Sequence, residues 1–169
     1  MAEPQHLLVV VRHAKAEQGR DTDFERELTD DGRADAAAAG RWLADRGVTP
    51  DCAVVSAAPR AAQTWSTLAA AAGWSVAASE DRGLYSADPD TVLDVVRALD
   101  EHCRCAVVVG HNPTMGLVAQ LLDDGEGDPD ADRSMAQGFP TSAVAVFAVD
   151  SSWADLGSAR LTAFHVGRG

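Results

Sequence analysis

Four residues carry the chemistry this chain offers: Arg12, His13, Arg60 and His111. The run "LLVVVRH" (7–13) is apolar until it stops on Arg12 and His13, and "VVVGHNP" (107–113) stops on His111. Continuous apolar runs of this kind read as strands covered on both faces, as in a parallel sheet. In open α/β sheets, ligands sit beyond the carboxyl ends of such strands. If the two strands are neighbours, the two histidines face one cleft. In "SAAPRAAQT" (56–64) another strand ends at Ser56, and Arg60 opens a helix. A helix N-terminus with an arginine binds anions. A lone Arg-His pair reads equally well as a solvated arginine and a loop-capping histidine. Two arginines and two histidines converging on one edge form a phosphate pocket.

The residue types suit phosphoryl transfer. A neutral imidazole attacks phosphorus and forms a covalent intermediate that water later opens. Its attacking nitrogen must be unprotonated, with the other nitrogen donating to a fixed acceptor. Arg12 and Arg60 would hold phosphoryl oxygens by charge-assisted hydrogen bonds. His111 could do the same, best as a cation near the phosphate. Catalysis would then be positioning plus electrostatics.

The elements that must position these groups alternate. Strands are expected near 7–12, 52–56, 74–79 and 105–110. Helices fill the gaps: from Thr29 as N-cap to Gly47, from Pro59 to Gly73, from Asp88 and Pro89 onward, and after Asn112. The stretch 125–140 is acidic and without periodicity, and reads as a mobile surface loop. "SAVAVFAV" and "ARLTAFHV" alternate and read as a closing antiparallel pair. The pattern predicts an α/β fold: a three-layer α/β/α sandwich on a mostly parallel sheet, within one domain spanning 1–169.

Composition narrows the function. A hydrophobic content of 46% and a charged content of 24% are globular values. The net charge of -12 argues against nucleic-acid or anionic-membrane partners, and makes any anion site a local positive focus. Cys52, Cys103 and Cys105 form no C-x-x-C pair and read as free thiols in a reducing compartment. With no signal segment and no apolar run near the roughly 20 residues that span a bilayer, a cytoplasmic location is expected.

At these residues the chain resembles the histidine phosphatase superfamily, and within it the SixA-like phosphohistidine phosphatases. "VVVRHAKAE" resembles the nucleophile motif, which implies that His13 is the phosphorylated residue with Arg12 beside it. "ELTDDGRADA" looks like the family's Leu-Thr-x-x-Gly helix start. "SAAPRAAQT" is similar to Ser-Pro-x-x-Arg-Ala-x-Gln/Glu-Thr, which places the second arginine at Arg60. "VVGHNP" resembles the second-histidine motif, and "FPTSAVAVF" the closing strand. The resemblance implies a phosphoglycerate-mutase-like fold, no cofactor, and phosphatase activity on a phosphorylated protein.

The chain departs from the superfamily pattern in three places. Ala14 stands for the motif glycine and Ala57 for the usual proline. Many members carry a glutamate general acid after the third strand, where "GLYSAD" puts Ser86. SixA-like proteins also lack this acid, which suits phosphohistidine: an imidazole of pKa about 6.5 leaves more easily than an alkoxide. Asp81 and Asp88 flank the gap as possible substitutes. Lys15 could add rim potential, Glu17 could orient substrate or water, and Tyr85 could line the cleft; solvated or packed roles suit each as well. His6, His102 and His165 lie outside the motifs.

Other classes compete. A small phosphate monoester is the second candidate substrate. A phosphate-binding module without turnover would keep the pocket alone. A metallohydrolase using His13 and His111 lacks further ligands, and its arginines would oppose a cation.

Overall fold

The computed structural model describes residues 3–169. Six strands form one sheet in the order β3-β2-β4-β1-β5-β6. They are β1 (His6–Arg12), β2 (Cys52–Ser56), β3 (Ala78–Asp81), β4 (Cys105–Gly110), β5 (Ala143–Val149) and β6 (Arg160–Val166). The first four run parallel, and β5 and β6 close the sheet antiparallel. Helices α1 (Asp30–Asp45), α2 (Pro59–Ala72), α3 (Pro89–Arg97), α4 (Thr114–Leu122) and α5 (Pro129–Ala136) flank it. The α/β sandwich expected from the alternation is the fold observed.

The central strands explain their own composition. Val9 and Val11 face a core with Leu43, Trp65 and Leu68 from α1 and α2. Leu8 and Val10 face the opposite core, with Met115, Leu122, Phe147 and Trp153. A strand buried on both faces has no use for alternation, so β1 and β4 are unbroken apolar runs. They pair from Leu7↔Cys105 to Arg12↔Gly110, so they end on the same rung.

Three expectations need correction. The third strand begins at Ala78, not at Trp74. Its partner β2 offers rungs only from Ala53↔Ala78 to Ser56↔Asp81, so the residues before it cannot join the ladder. Trp74 and Val76 instead pack against the α1–α2 core, with the rings of Trp74 and Trp65 6.0 Å apart. The stretch 125–140 contains α5 rather than an aperiodic loop. Asp128 caps it by accepting from Asp130 and Ala131 N–H, Pro129 fills its first turn, and Ala131 and Met135 bury one turn apart. Finally, Cys52 and Cys103 form a disulfide, leaving Cys105 as the free, buried thiol. The free-thiol argument for a reducing compartment therefore falls. Among the described residues no helix is long and apolar enough to cross a membrane.

Candidate active site

The carboxyl edge of the sheet delivers the site. The rung Arg12↔Gly110 is followed by one more sheet-like bond, from His13 N–H to the Gly110 carbonyl (3.0 Å). His13 and His111 therefore leave neighbouring strands side by side, with ring centroids 5.2 Å apart. The N-terminus of α2 brings Arg60, which is only 4% exposed. Arg12, His13, Arg60 and His111 line one cleft of about 400 Å³, together with Lys15, Gln18, Asp23, Arg26, Asn112 and others.

The nucleophile motif folds by local bonds. Ala14 N–H donates to Thr64 Oγ1 (2.9 Å), whose hydroxyl donates to the Arg60 carbonyl (2.6 Å). One threonine thus ties the His13 loop to the helix that carries Arg60. Gln63 accepts from Leu28 N–H (2.9 Å) and donates to Glu27 (2.9 Å), which anchors the loop 17–28. Gly32 has a plain steric reason: a Cβ there would lie 2.0 Å from the Lys15 carbonyl oxygen. That carbonyl accepts from Thr29 N–H (3.0 Å), so the α1 start and the nucleophile loop share one narrow contact.

His13 is set up for attack through Nε2. Its Nδ1–H donates to the Ala14 carbonyl (2.7 Å), which leaves the lone pair on Nε2. Arg60 Nε–H approaches that lone pair at 3.4 Å. Burial lowers the His13 pKa to about 3, helped by repulsion from His111, Arg60 and Arg12 and opposed by the Ala14 bond. Burial, followed by Arg60, lowers His111 to about 4. Both rings are neutral near pH 7 in the free protein.

Neutral His111 still offers a donor. Its Nε2 lies 2.8 Å from Ser56 Oγ. If the hydroxyl donates to Nε2, the proton sits on Nδ1, which is buried without a partner. Arg12 donates through a terminal nitrogen to the Phe139 carbonyl (3.2 Å), while its buried Nε has no partner. Buried polar groups are rarely left unpaired without a reason.

The site holds residues the motifs did not single out. Asp23 accepts from Arg60 (3.0 Å), from Arg26 (2.9 Å) and from the Tyr85 hydroxyl (2.6 Å). Tyr85 stands edge-on to His111, with centroids 5.5 Å apart. Ser56 opens the "SAAPRAAQT" motif and ends its strand, but the sequence assigns it no role at the site. Its signal was its place as the last residue of β2, on the edge where the other strands deliver their site residues. Asp81 and Asp88 take other work: Asp81 accepts from Gly83 N–H (2.7 Å) and Asp88 caps α3 at Thr91 N–H (2.8 Å). Neither lines the cleft. Glu17 pairs with Arg20 at the surface. His6 is buried against Trp153, and His165 stacks on Trp42, both away from the site.

The histidine phosphatase superfamily (branch 1) model matches residues 8–86, the span holding Arg12, His13 and Arg60. The SixA structure of Nakamurella multipartitia is 32% identical, covers 96% of each chain and superposes with a TM-score of 0.82. The chain belongs to the histidine phosphatase superfamily. It is a SixA-like member by that likeness. The uncharacterized protein ML1117 of Mycobacterium leprae is 33% identical over 165 residues, covering 94% of this chain and all of the relative. The protein histidine phosphatase SixA complexed with tungstate shares the fold, with a TM-score of 0.79, 24% identity and coverage of 95% and 96%.

Proposed function

We propose that this histidine phosphatase removes phosphate from phosphohistidine in a protein, through a covalent intermediate on His13. The observation that carries the reading is the convergence of Arg12, Arg60 and His111 on one cleft with His13, whose Nε2 keeps its lone pair. His13 Nε2 attacks phosphorus. Arg12, Arg60 and His111 hold the equatorial oxygens as charge develops on them. Water then attacks the phosphohistidine and releases phosphate.

No metal enters this scheme, because Arg12, Lys15, Arg26 and Arg60 crowd the cleft with positive charge. The substrate class follows from the missing acid. Among the described residues Asp23 is the only carboxylate lining the cleft, and its bonds to Tyr85 and Arg26 hold it ionised, far below the usual carboxylate range. An alkoxide leaving group would find no proton there. A ring-protonated phosphoimidazole needs none, because its leaving group departs as neutral imidazole. The SixA likeness supports the same substrate class. This reading assigns the chain to the cytoplasm, with phosphorelay-type proteins as partners; cell fractionation checks the location.

The test is phosphate release from a phosphohistidine peptide, with an aryl and an alkyl phosphate alongside, in excess chelator. The expected result is turnover of the peptide and the aryl ester, little of the alkyl ester, and none with His13→Ala. Turnover of alkyl phosphates at a comparable rate would favour the second reading, a small-monoester phosphatase, which the volume of about 400 Å³ could also serve. Phosphate binding with no turnover of any substrate would reduce the protein to a binding module.

A further inference from the structure

The superfamily's general acid is absent, yet the mouth of the cleft is not free of carboxylates. In-line displacement puts the leaving group opposite His13 Nε2. His13 is 7% exposed and lies at the floor, so the leaving group departs toward the open side. Asp23 lines the same cleft, with its side chain 56% exposed. Both of its carboxylate oxygens accept hydrogen bonds from the site: Oδ2 from Arg60 and Tyr85, Oδ1 from Arg26. Its carbonyl also accepts from Arg60 (2.7 Å). Lys15 lines the same cleft, but its side chain makes no hydrogen bond among the described residues, so Asp23 is the negative charge with a fixed place.

From this placement we propose that Asp23 is a specificity-determining residue. It is an anion at the cleft mouth that selects leaving groups carrying a positive charge, such as the ring-protonated N-phosphoimidazole of phosphohistidine. The proposal rests on the phosphatase reading above and names the basis of its selectivity. The charges balance. His13 Nε2 forms a bond to phosphorus as the P–N bond of the substrate breaks. The bonding pair goes to the imidazole nitrogen, and because the other ring nitrogen already bears a proton, the leaving group departs as neutral imidazole. Its ring charge is thus greatest before bond cleavage, when it stands nearest Asp23. Substrates that end in a further carboxylate or phosphate would be repelled by the same group.

The ratio of two kcat/KM values tests this. One substrate is 1-methyl-3-phosphoimidazolium, whose ring is cationic at every pH; the other is p-nitrophenyl phosphate, whose leaving group is neutral or anionic. Any loss of Arg60 alignment in Asp23→Asn affects both substrates and cancels in the ratio. Asp23→Asn is expected to lower the imidazolium-to-aryl ratio about tenfold, the effect of one charge at close range in a partly solvated site. Asp23→Glu should restore part of it. Tyr85→Phe, which keeps the charge and removes one hydrogen bond, should move the ratio less than about twofold, well inside that charge effect. An unchanged ratio in Asp23→Asn, with the wild type active on both substrates, overturns the inference alone. A wild type that cleaves the aryl ester but neither the imidazolium nor a phosphohistidine peptide overturns the phosphatase reading beneath it as well.

Discussion

Ser56→Ala isolates how the sheet edge controls His111. Ser56 is fully buried, and its Oγ lies 2.8 Å from His111 Nε2 and 3.3 Å from Ala58 N–H, which it accepts. The substitution leaves a buried imidazole nitrogen without a partner, at a cost of about 1–3 kcal/mol if the ring keeps its place. Stability should fall by an amount in the lower half of that range, because the ring can turn or admit water. The effect on rate is separate. Without the hydroxyl nothing holds the proton on Nδ1, and the Nε2–H tautomer would aim a lone pair at the phosphoryl oxygen. Full loss of a transition-state donor costs about 10²–10³ in rate, and a tautomer left to compete should cost about tenfold. The assay is steady-state phosphate release from an aryl phosphate, for Ser56→Ala and His111→Ala together, with thermal unfolding of each. A drop of about tenfold in kcat for the serine variant, lying between wild type and the histidine variant, is expected. A serine variant within twofold of wild type would refute the claim that this hydrogen bond sets the working tautomer.

Other outcomes follow from the same geometry. Gly32→Ala should push the Lys15 carbonyl off its place, since the new Cβ would sit 2.0 Å from it; unfolding and kcat should both suffer, by more than the gain of up to about 1 kcal/mol that Gly→Ala gives at an unstrained position. Removing the disulfide with Cys52→Ser and Cys103→Ser should lower stability by about 2–4 kcal/mol, because the bridge spans a separation of 51 residues; turnover should stay, since the bridge lies at the opposite end of β2 and β4 from the site. The two catalytic-edge histidines also fix an acid limb. Their folded pKa values, about 3 and about 4, lie below the ordinary value of 6.5, so the unfolded chain binds more protons in between. Their contribution to stability is complete above pH 6.5 and declines as pH falls toward 3, which acid titration of unfolding will show. For the same reason kcat/KM, corrected for substrate ionisation, should hold level down to about pH 4 rather than fall near 6.5.

What the sequence disclosed divides along physical lines. Strands buried on both faces write themselves as unbroken apolar runs, so β1 and β4 were legible, and so were the polar residues at their ends. Arg60 was legible because a proline and a helix start frame it. Asp23 was not: it lies in a loop without period, and its neighbours Arg60 and Tyr85 stand 37 and 62 positions away. Ser56 was visible as a strand end, but its tie to His111 depends on β2 lying beside β4, a matter of strand order. The start of β3 was misjudged because an apolar segment covering a helix looks like one pairing in a sheet. Helix α5 was overlooked because only Ala131 and Met135 mark its buried side amid acids, although the Asp128-Pro129 cap was present. The disulfide joins the start of β2 to the segment just before β4, and only the assembled sheet brings them together.

The seam between β2 and β4 is fastened at both ends, by the Cys52–Cys103 bridge at one and the Ser56–His111 contact at the other. Between them run the rungs Cys52↔Ala106 to Val55↔Val109. A slip of a single rung would turn every side chain of β2 to the wrong face and carry Ser56 away from its histidine. Amide protons along this seam should therefore exchange with solvent only when the whole molecule opens. The spacing of the catalytic groups then survives as long as the protein itself does.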